Sequence, residues 1–240
     1  MPERDTRFRV VVIAMIRAVA FDFDGVIVES VDLKTQAFAR MFADAGPEIV
    51  DKVVSYHLEH GGLSRVEKFR HFYKHYLHRP LSDSELKALC DRFRTLVFDG
   101  VVAAPWVTGA IEAVKCFHET GLLQFVVSGT PQDELGEIVR RRGIEHFFAG
   151  VFGSPRLKGD LLRSILTAHG LAASEVLFVG DATTDYDGAR MSGVQFVARS
   201  TPPAVAEWRD LGVPCLTDLT ALPTLIADLA TSSSRTASQT

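Results

Sequence analysis

Cysteine is scarce in this chain: Cys90, Cys116 and Cys215 are the only three in 240 residues. An odd number at wide spacing makes neither a disulfide framework nor a zinc-ligand pattern, and points to a reducing, cytoplasmic setting. Long uncharged apolar runs are lacking too. A membrane helix needs about 18 such residues; the best stretch, residues 10–20, is broken by Arg17 and runs directly into Phe21-Asp22-Phe23-Asp24. Arginines ahead of it and Ala18-Val19-Ala20 imitate a signal peptide, but cleavage there would remove the first core strand, so export is not expected. Neither sign of charge dominates. The formal net charge of −4 makes a general nucleic-acid binder a poor reading. No internal repeat is visible. Residues 231–240 are small and polar and are expected to be disordered. Residues 1–14 read as an extension ahead of Met15, or as the product of an upstream start codon.

What is present is a pattern that changes twice. The hydrophobic fraction of 47% is that of a globular protein, and 240 residues fit one large domain or a domain with a small companion. Residues 18–23 form a short apolar strand ending in acidic residues. Residues 31–102 carry almost no strand signal; instead Phe69, Phe72, Tyr73, Tyr76 and Leu77 recur at helical spacing. From Pro105 onward, strand-like runs at 122–127, 149–152, 176–179 and 194–197, with a weaker one near 213–216, alternate with amphipathic helices. Such alternation predicts βα units and a parallel sheet covered on both faces. The fold class is therefore α/β, and the helical block reads as an insertion that returns through residues 100–105.

Three polar clusters each follow directly on a strand: Asp22-Phe23-Asp24-Gly25, Ser128-Gly129-Thr130, and Gly180-Asp181-Ala182-Thr183-Thr184-Asp185. In open parallel sheets the carboxyl ends of the strands line one crevice, where ligands bind. Four carboxylates meeting there would raise one another's pKa. A hard, oxygen-seeking cation relieves this, and Mg²⁺ suits one or two carboxylates with water and substrate phosphate. Ser128 and the backbone N–H groups around Gly129 supply donors for phosphate oxygens, and Lys158, opening a helix at 159–169, adds positive charge. Each cluster alone has a plainer reading, as a polar turn, a solvated lysine or an acidic helix start. Their order and placement together favour a site.

The four clusters resemble the motifs of the haloacid dehalogenase superfamily, in particular phosphoglycolate phosphatase-like members with a helical cap inserted after the first motif. Residues 21–30 resemble motif I, 126–130 motif II, Lys158 motif III and 179–185 motif IV. The resemblance implies a Rossmann-like, three-layer α/β/α core formed by residues 1–30 and 105–230, and a helical cap formed by 31–104. It also implies a Mg²⁺-dependent phosphatase of a small phosphorylated metabolite. Asp22 would be the nucleophile that becomes an aspartyl-phosphate; Asp24 would protonate the leaving alcohol and then activate water. Asp22, the main-chain carbonyl of Asp24, Asp181 and Asp185 (directly or through water) would hold Mg²⁺. Ser128 and Lys158 would hold phosphoryl oxygens, with Gly129 and Thr130 shaping the loop.

Departures from the family pattern are small. Glu29-Ser30 stands where Asp-Ser is common, and Lys158 precedes Gly159-Asp160 where many relatives carry proline. No other lysine lies between Ser128 and Gly180. Asp24 argues against a dehalogenase proper, while a phosphosugar mutase stays open. So does a phosphonate hydrolase, which would need a cap lysine, Lys52 or Lys68, to form a Schiff base. A phospho-accepting signalling domain would need neither Asp24 nor an inserted cap.

The insert also carries charge. Residues 31–104 hold 11 Lys/Arg against 10 Asp/Glu, and residues 51–79 hold six against three, with five of the eight histidines. A basic lid over an acidic crevice suits small anionic substrates. Gly61-Gly62 breaks two helices, Ser64 is a plausible N-cap with Glu67 at the capping-box position, and Arg65 falls in the first turn. Positive charge there is unfavourable unless an anion is near. Arg65 is thus either a surface arginine or the leading substrate-binding residue of the cap, ahead of His57, His60 and Lys68. His71, His75 and His78 share a helical face; that face reads as solvated, with metal binding the lesser alternative.

Overall fold

A four-residue strand, β1 (Ala18–Phe21), is buried at every position and lies in the interior of a six-stranded sheet. The computed structural model describes residues 15–200 and 205–236; the expected extension at 1–14 lies outside them. All strands are parallel: β2 (Leu123–Pro131), β3 (Gly150–Ser154), β4 (Val176–Gly180), β5 (Gln195–Arg199) and β6 (Cys215–Leu216) join β1 in the order β3-β2-β1-β4-β5-β6. Ala18 pairs with Leu123 on one side and Val176 on the other. The order reverses direction at β1, so the crevice beyond the carboxyl ends of β1, β2 and β4 is where this topology places a ligand. The short apolar runs of the sequence become these strands because each is buried on both faces.

Helices cover both faces of the sheet. α5 (Ala110–Glu119), α6 (Gln132–Arg141) and α10 (Leu222–Thr236) join one apolar cluster, which also takes in the helices of the insert; α7 (Lys158–His169) and α8 (Thr183–Ser192) pack over the other face, and α9 (Val205–Asp210) lies near β6. α10 continues to Thr236, into the stretch expected to be disordered. Residues 237–240 lie outside the described part.

Between β1 and β2 the chain forms α1 (Val31–Met41), α2 (Pro47–Glu59), α3 (Arg65–His75) and α4 (Asp83–Ala103). Aromatic rings fuse them: Phe38 lies 4.3 Å from Phe93 and 5.5 Å from Phe69, and Phe42 lies 5.4 Å from Phe72, centroid to centroid. The Ser64 hydroxyl accepts from the Glu67 N–H and caps α3, as its sequence position suggests. α4 runs further than expected, taking in residues 100–103 of the supposed linker. Gly100 stays helical because α1 crosses α4 there: a Cβ on Gly100 would lie 2.3 Å from Leu33 Cδ1. Where α4 ends, Arg142 donates to the carbonyls of Val101, Val102 and Ala104 and stacks 3.8 Å from the Trp106 ring centroid. One guanidinium therefore serves two carbonyls of the last helical turn and one just beyond it, and pins the return crossing.

Candidate active site

The carboxyl ends of β1, β2 and β4 deliver the sequence-predicted residues to one place. Asp22 follows β1 directly; its N–H donates to the Val179 carbonyl (2.9 Å), and its Oδ1 accepts from the Phe23 N–H (2.7 Å). Asp181 follows β4, and Asp185 sits in the first turn of α8 with no solvent exposure. Asp22, Asp181 and Asp185 each offer an oxygen within 4.8 Å of the others. Lys158, the first residue of α7, puts Nζ 3.0 Å from Asp22 Oδ2 and also donates to Asp185 Oδ1. Ser128 is buried within β2, and its hydroxyl accepts from the Thr130 N–H (3.2 Å).

Burial and crowding set the protonation of this cluster. Burial pushes Asp22 up to about 7; Lys158 opposes this, while Asp185 and Asp24 add to it. Asp181 is held well above the carboxylate range, by burial and then by Asp22 and Asp185. Lys158 goes the other way. Burial disfavours its charge, but Asp185 and Asp22 outweigh that and keep it protonated above the usual lysine range. An excess of buried carboxylates over cations is the condition that a bound divalent cation relieves, and the three converging oxygens fit one. Asp185 is the least free of the three. Its Oδ1 takes Lys158, and its Oδ2 accepts from the Asp181 and Ala182 N–H groups (3.3 and 3.1 Å).

Asp24 differs from expectation. As an acid it should carry the proton while Asp22 is ionised. Burial does raise Asp24, but the Lys34 ammonium (2.5 Å) and hydrogen bonds from Lys34, Ser30 and Thr130 prevail and hold it below the usual range. Lys34, on α1, also donates to the Thr130 hydroxyl (2.9 Å). Neither Lys34 nor the Thr130 side chain was singled out from sequence. The signal was weak but present: Lys34 and Phe38 are four apart on α1, and Phe38 is a core residue of the insert, so Lys34 shares an inward face.

Over the cluster lies a cavity of about 370 Å³. Asp22, Ser128 and Asp181 belong to its core side, and Lys34, His57 and Lys68 to the helical insert. Lys158 stays outside its lining, behind Asp22. The insert closes down through its glycine break: the Thr184 hydroxyl donates to the Gly61 carbonyl (2.5 Å), and a Cβ on Gly129 would lie 2.2 Å from the Gly62 carbonyl oxygen. Only glycine at 129 admits that approach.

Arg65 requires a correction. It touches the cavity, but its two terminal nitrogens are spent on Glu134 of α6 (2.9 and 2.6 Å), and its guanidinium lies 4.7 Å from the Phe93 centroid. The anion that its helix-start position called for is Glu134, inside the protein, so it is neither a surface residue nor an open substrate ligand. Among the other expected cap residues, His60 bonds the Tyr56 carbonyl and stacks on that ring at 3.9 Å. His71 also stacks on the Tyr56 ring at 3.9 Å and lies 4.5 Å from His75. Among the described residues, no set of three metal-ligating side chains includes these histidines. Lys52 is exposed and paired with Glu48 (2.6 Å), whereas Lys68 and His57 are buried in the cavity wall. No helix among the described residues is long and apolar enough to cross a membrane.

Comparison with known proteins converges on the same segments. A family model described as haloacid dehalogenase-like hydrolase matches residues 19–199. Phosphoglycolate phosphatase 1 of Pseudomonas aeruginosa is 25% identical over 189 residues, covering 76% of this chain and 68% of that protein. A phosphoglycolate phosphatase of Pasteurella multocida is 28% identical over 194 residues, covering 75% and 84%. Among solved structures, a β-phosphoglucomutase from Clostridium difficile superposes with a TM-score of 0.74 at 14% identity, covering 91% of this chain and 98% of that one. A predicted phosphoglycolate phosphatase from Haemophilus somnus gives 0.67 at 17%, covering 88% and 97%. At these identities the two structures speak for the fold.

Proposed function

The chain belongs to the haloacid dehalogenase-like hydrolase family, and from that premise we propose that it is a Mg²⁺-dependent phosphatase of small phosphorylated metabolites. One observation carries the reading: Asp22, Asp181 and Asp185 bring carboxylate oxygens within 4.8 Å of one another, Lys158 pairs with Asp22 and Asp185 behind them, and Asp22 and Asp181 line a cavity whose other wall comes from residues 31–104. In this reading 31–104 is a cap on a core of 1–30 and 105–230, and the unpaired cysteines fit a cytoplasmic protein.

Asp22 attacks phosphorus through a carboxylate oxygen, giving an aspartyl-phosphate and expelling the alcohol. Its backbone bonds fix its direction, which matters because phosphoryl transfer depends on in-line positioning and charge neutralisation. Asp22, Asp181, the Asp24 main-chain carbonyl and, directly or through water, Asp185 would hold the cation, which supplies neutralising charge for the ionised nucleophile and the phosphoryl oxygens. Lys158 adds fixed positive charge beside Asp22, and Ser128 donates from β2. Asp24 protonates the leaving oxygen and then takes a proton from the attacking water. To do so it must exchange its bond from Lys34 for a proton, so the closed cap holds the acid in reserve.

The test is release of phosphate from p-nitrophenyl phosphate and phosphoglycolate, with and without Mg²⁺, by wild type, Asp22→Asn and Asp24→Asn. Mg²⁺-dependent turnover that Asp22→Asn abolishes is expected. No turnover across a panel of esters and metals would refute the reading. A mutase or phosphonate hydrolase is the second reading, and Lys68 is the observation that favours the latter, because Lys52 points to solvent. Asp24, which a Schiff-base route does not need, speaks against it.

A further inference from the structure

The loop that carries Asp24 is tied to the far half of the sheet by one guanidinium. Residues 23–30 reverse direction through their own backbone: the Ile27 and Val28 N–H groups donate to the Phe23 carbonyl (2.9 and 3.1 Å), and the Gly25 N–H donates to the Val28 carbonyl (2.8 Å). Gly25 has a φ of +76°, and a Cβ there would lie 2.1 Å from Asp181 Oδ2, so this turn is pressed against the carboxylate cluster. The Gly25 carbonyl accepts from Arg199 Nη1 (3.1 Å). The same guanidinium donates to both Glu29 oxygens, from Nη1 at 3.3 Å and from Nη2 at 2.6 Å, and its Nε donates to the Thr217 carbonyl (3.2 Å). Glu29 stands where the family motif commonly has Asp, and its hold on Arg199 gives that departure a use.

Neither Arg199 nor Glu29 lines the cavity, so neither is placed to touch a ligand. Arg199 is the last residue of β5, which pairs with β4 on one side and, at Arg199 itself, with β6 on the other. The sheet is therefore the fixed side of the contact and the loop is the side that is held. As an ion pair the contact adds little stability, because the Glu29 side chain is 43% exposed. Its value is directional: a planar fork that meets Gly25, Glu29 and Thr217 together has little freedom of pose. That direction matters for Asp24. Ser30, next to Glu29, donates to Asp24 Oδ1 (2.5 Å), while Lys34 and Thr130 donate to Oδ2. Once Asp24 exchanges its Lys34 bond for a proton, the backbone of 24–30 sets where the carboxyl points, and Arg199 grips that backbone near both ends.

We propose that Arg199, acting through Gly25 and Glu29, is a positioning residue for the acid Asp24: it aims the carboxyl at the leaving oxygen without touching the substrate. The proposal rests on the phosphatase reading, which gives Asp24 its role. A small displacement of a positioned group costs much of its effect, so loosening the loop should weaken proton donation more than phosphoryl binding.

Leaving groups separate aim from general damage. Nitrophenolate departs as a stable anion and needs little help from an acid, whereas an alkoxide needs a proton. The measurement is kcat/KM with Mg²⁺, for p-nitrophenyl phosphate and for the alkyl phosphate that wild type hydrolyses fastest. Asp24→Asn sets the scale and should lose far more on the alkyl ester than on the aryl ester. Arg199→Met should lose about 30-fold on the alkyl ester and less than about threefold on the aryl one. Arg199→Lys keeps the stem and the charge but not the fork, so it should fold as wild type does and still lose about tenfold on the alkyl ester alone. Equal losses on the two esters in the Arg199 variants would mean a general disturbance of the core, and an Arg199→Lys protein within about threefold of wild type on both would mean that the loop holds itself. Either result overturns the proposal, as does an Asp24→Asn protein that does not separate the esters. Failure of wild type to release phosphate from any ester is a different outcome, and it would refute the phosphatase reading itself.

Discussion

Removing Glu134 tests how the cap is held on the core. Arg65 and Glu134 join α3 to α6 through two bonds of 2.9 and 2.6 Å, with side chains only 5% and 4% exposed. A buried pair gains little over an apolar pair, because desolvation offsets the attraction, but breaking it strands one charge and costs about 3–5 kcal/mol. Glu134→Leu leaves the Arg65 guanidinium against Phe93, with Arg94, half exposed and 4.0 Å from Glu134, as the next cation rather than a counter-charge. For a chain of this size the loss corresponds to a melting temperature lowered by about 6–20 °C. Arg65→Met should cost a similar amount. Arg65→Met/Glu134→Leu should return to within about 1 kcal/mol of wild type, since neither charge is then stranded. Urea unfolding of the four proteins gives the coupling, and hydrogen exchange on 65–75 and 132–141 shows where it acts. Single variants within about 1 kcal/mol of wild type, or a double variant as unstable as the two losses added, would refute a buried, coupled pair.

Three further outcomes follow from the site. A methyl group at 129 must displace the Gly62 carbonyl by about 1 Å, so Gly129→Ala should lower phosphate release by about 100-fold; a change within about threefold would mean the cap does not close as described. Lys34→Met removes the cation that depresses Asp24, so the alkaline limb of the pH–rate profile should move to higher pH, and an unmoved limb would separate Lys34 from the acid. His57 is held at about 3 by burial, then by Lys68 and Lys34, with Asp24 opposing, against 6.5 in the unfolded chain. The unfolded state therefore binds the proton first, and stability should fall as pH drops from 6.5 towards 3, by up to about 1.4 kcal/mol per unit. His57→Asn should flatten that slope in urea titrations at pH 4 to 7, and an unchanged slope would reject the assignment.

Strands and core motifs were readable because a strand buried on both faces leaves a local mark: a short apolar run with polar residues at its carboxyl end. Asp22, Ser128 and Asp181 each lie at such an end, so topology alone brought them together. Boundaries were read less well. Gly100 looked like a linker, and only the packing of Leu33 against it explains why α4 continues. The cap chemistry was hidden for a different reason. Arg65 stood out because its local position demanded an anion, but the anion came from Glu134, 69 residues away, which no local pattern reveals. Asp24 was read as the acid that protonates the leaving alcohol, and Lys34, ten residues on, holds its carboxyl below the usual range through an ion pair that no local pattern reveals.

The charge of the cap shows why position outranks composition. Six basic residues against three acidic in 51–79 suggested a basic lid. Yet Lys52 pairs with Glu48, Arg70 with Asp83 and Arg79 with Glu85, all on exposed surface. Such pairs are screened and contribute little to a field inside the cavity. Arg65 faces inward but is neutralised. Lys34 reaches the cavity but meets Asp24, and Lys68 is held by His57. The net charge of 51–79 is therefore a poor guide to the field inside the cavity.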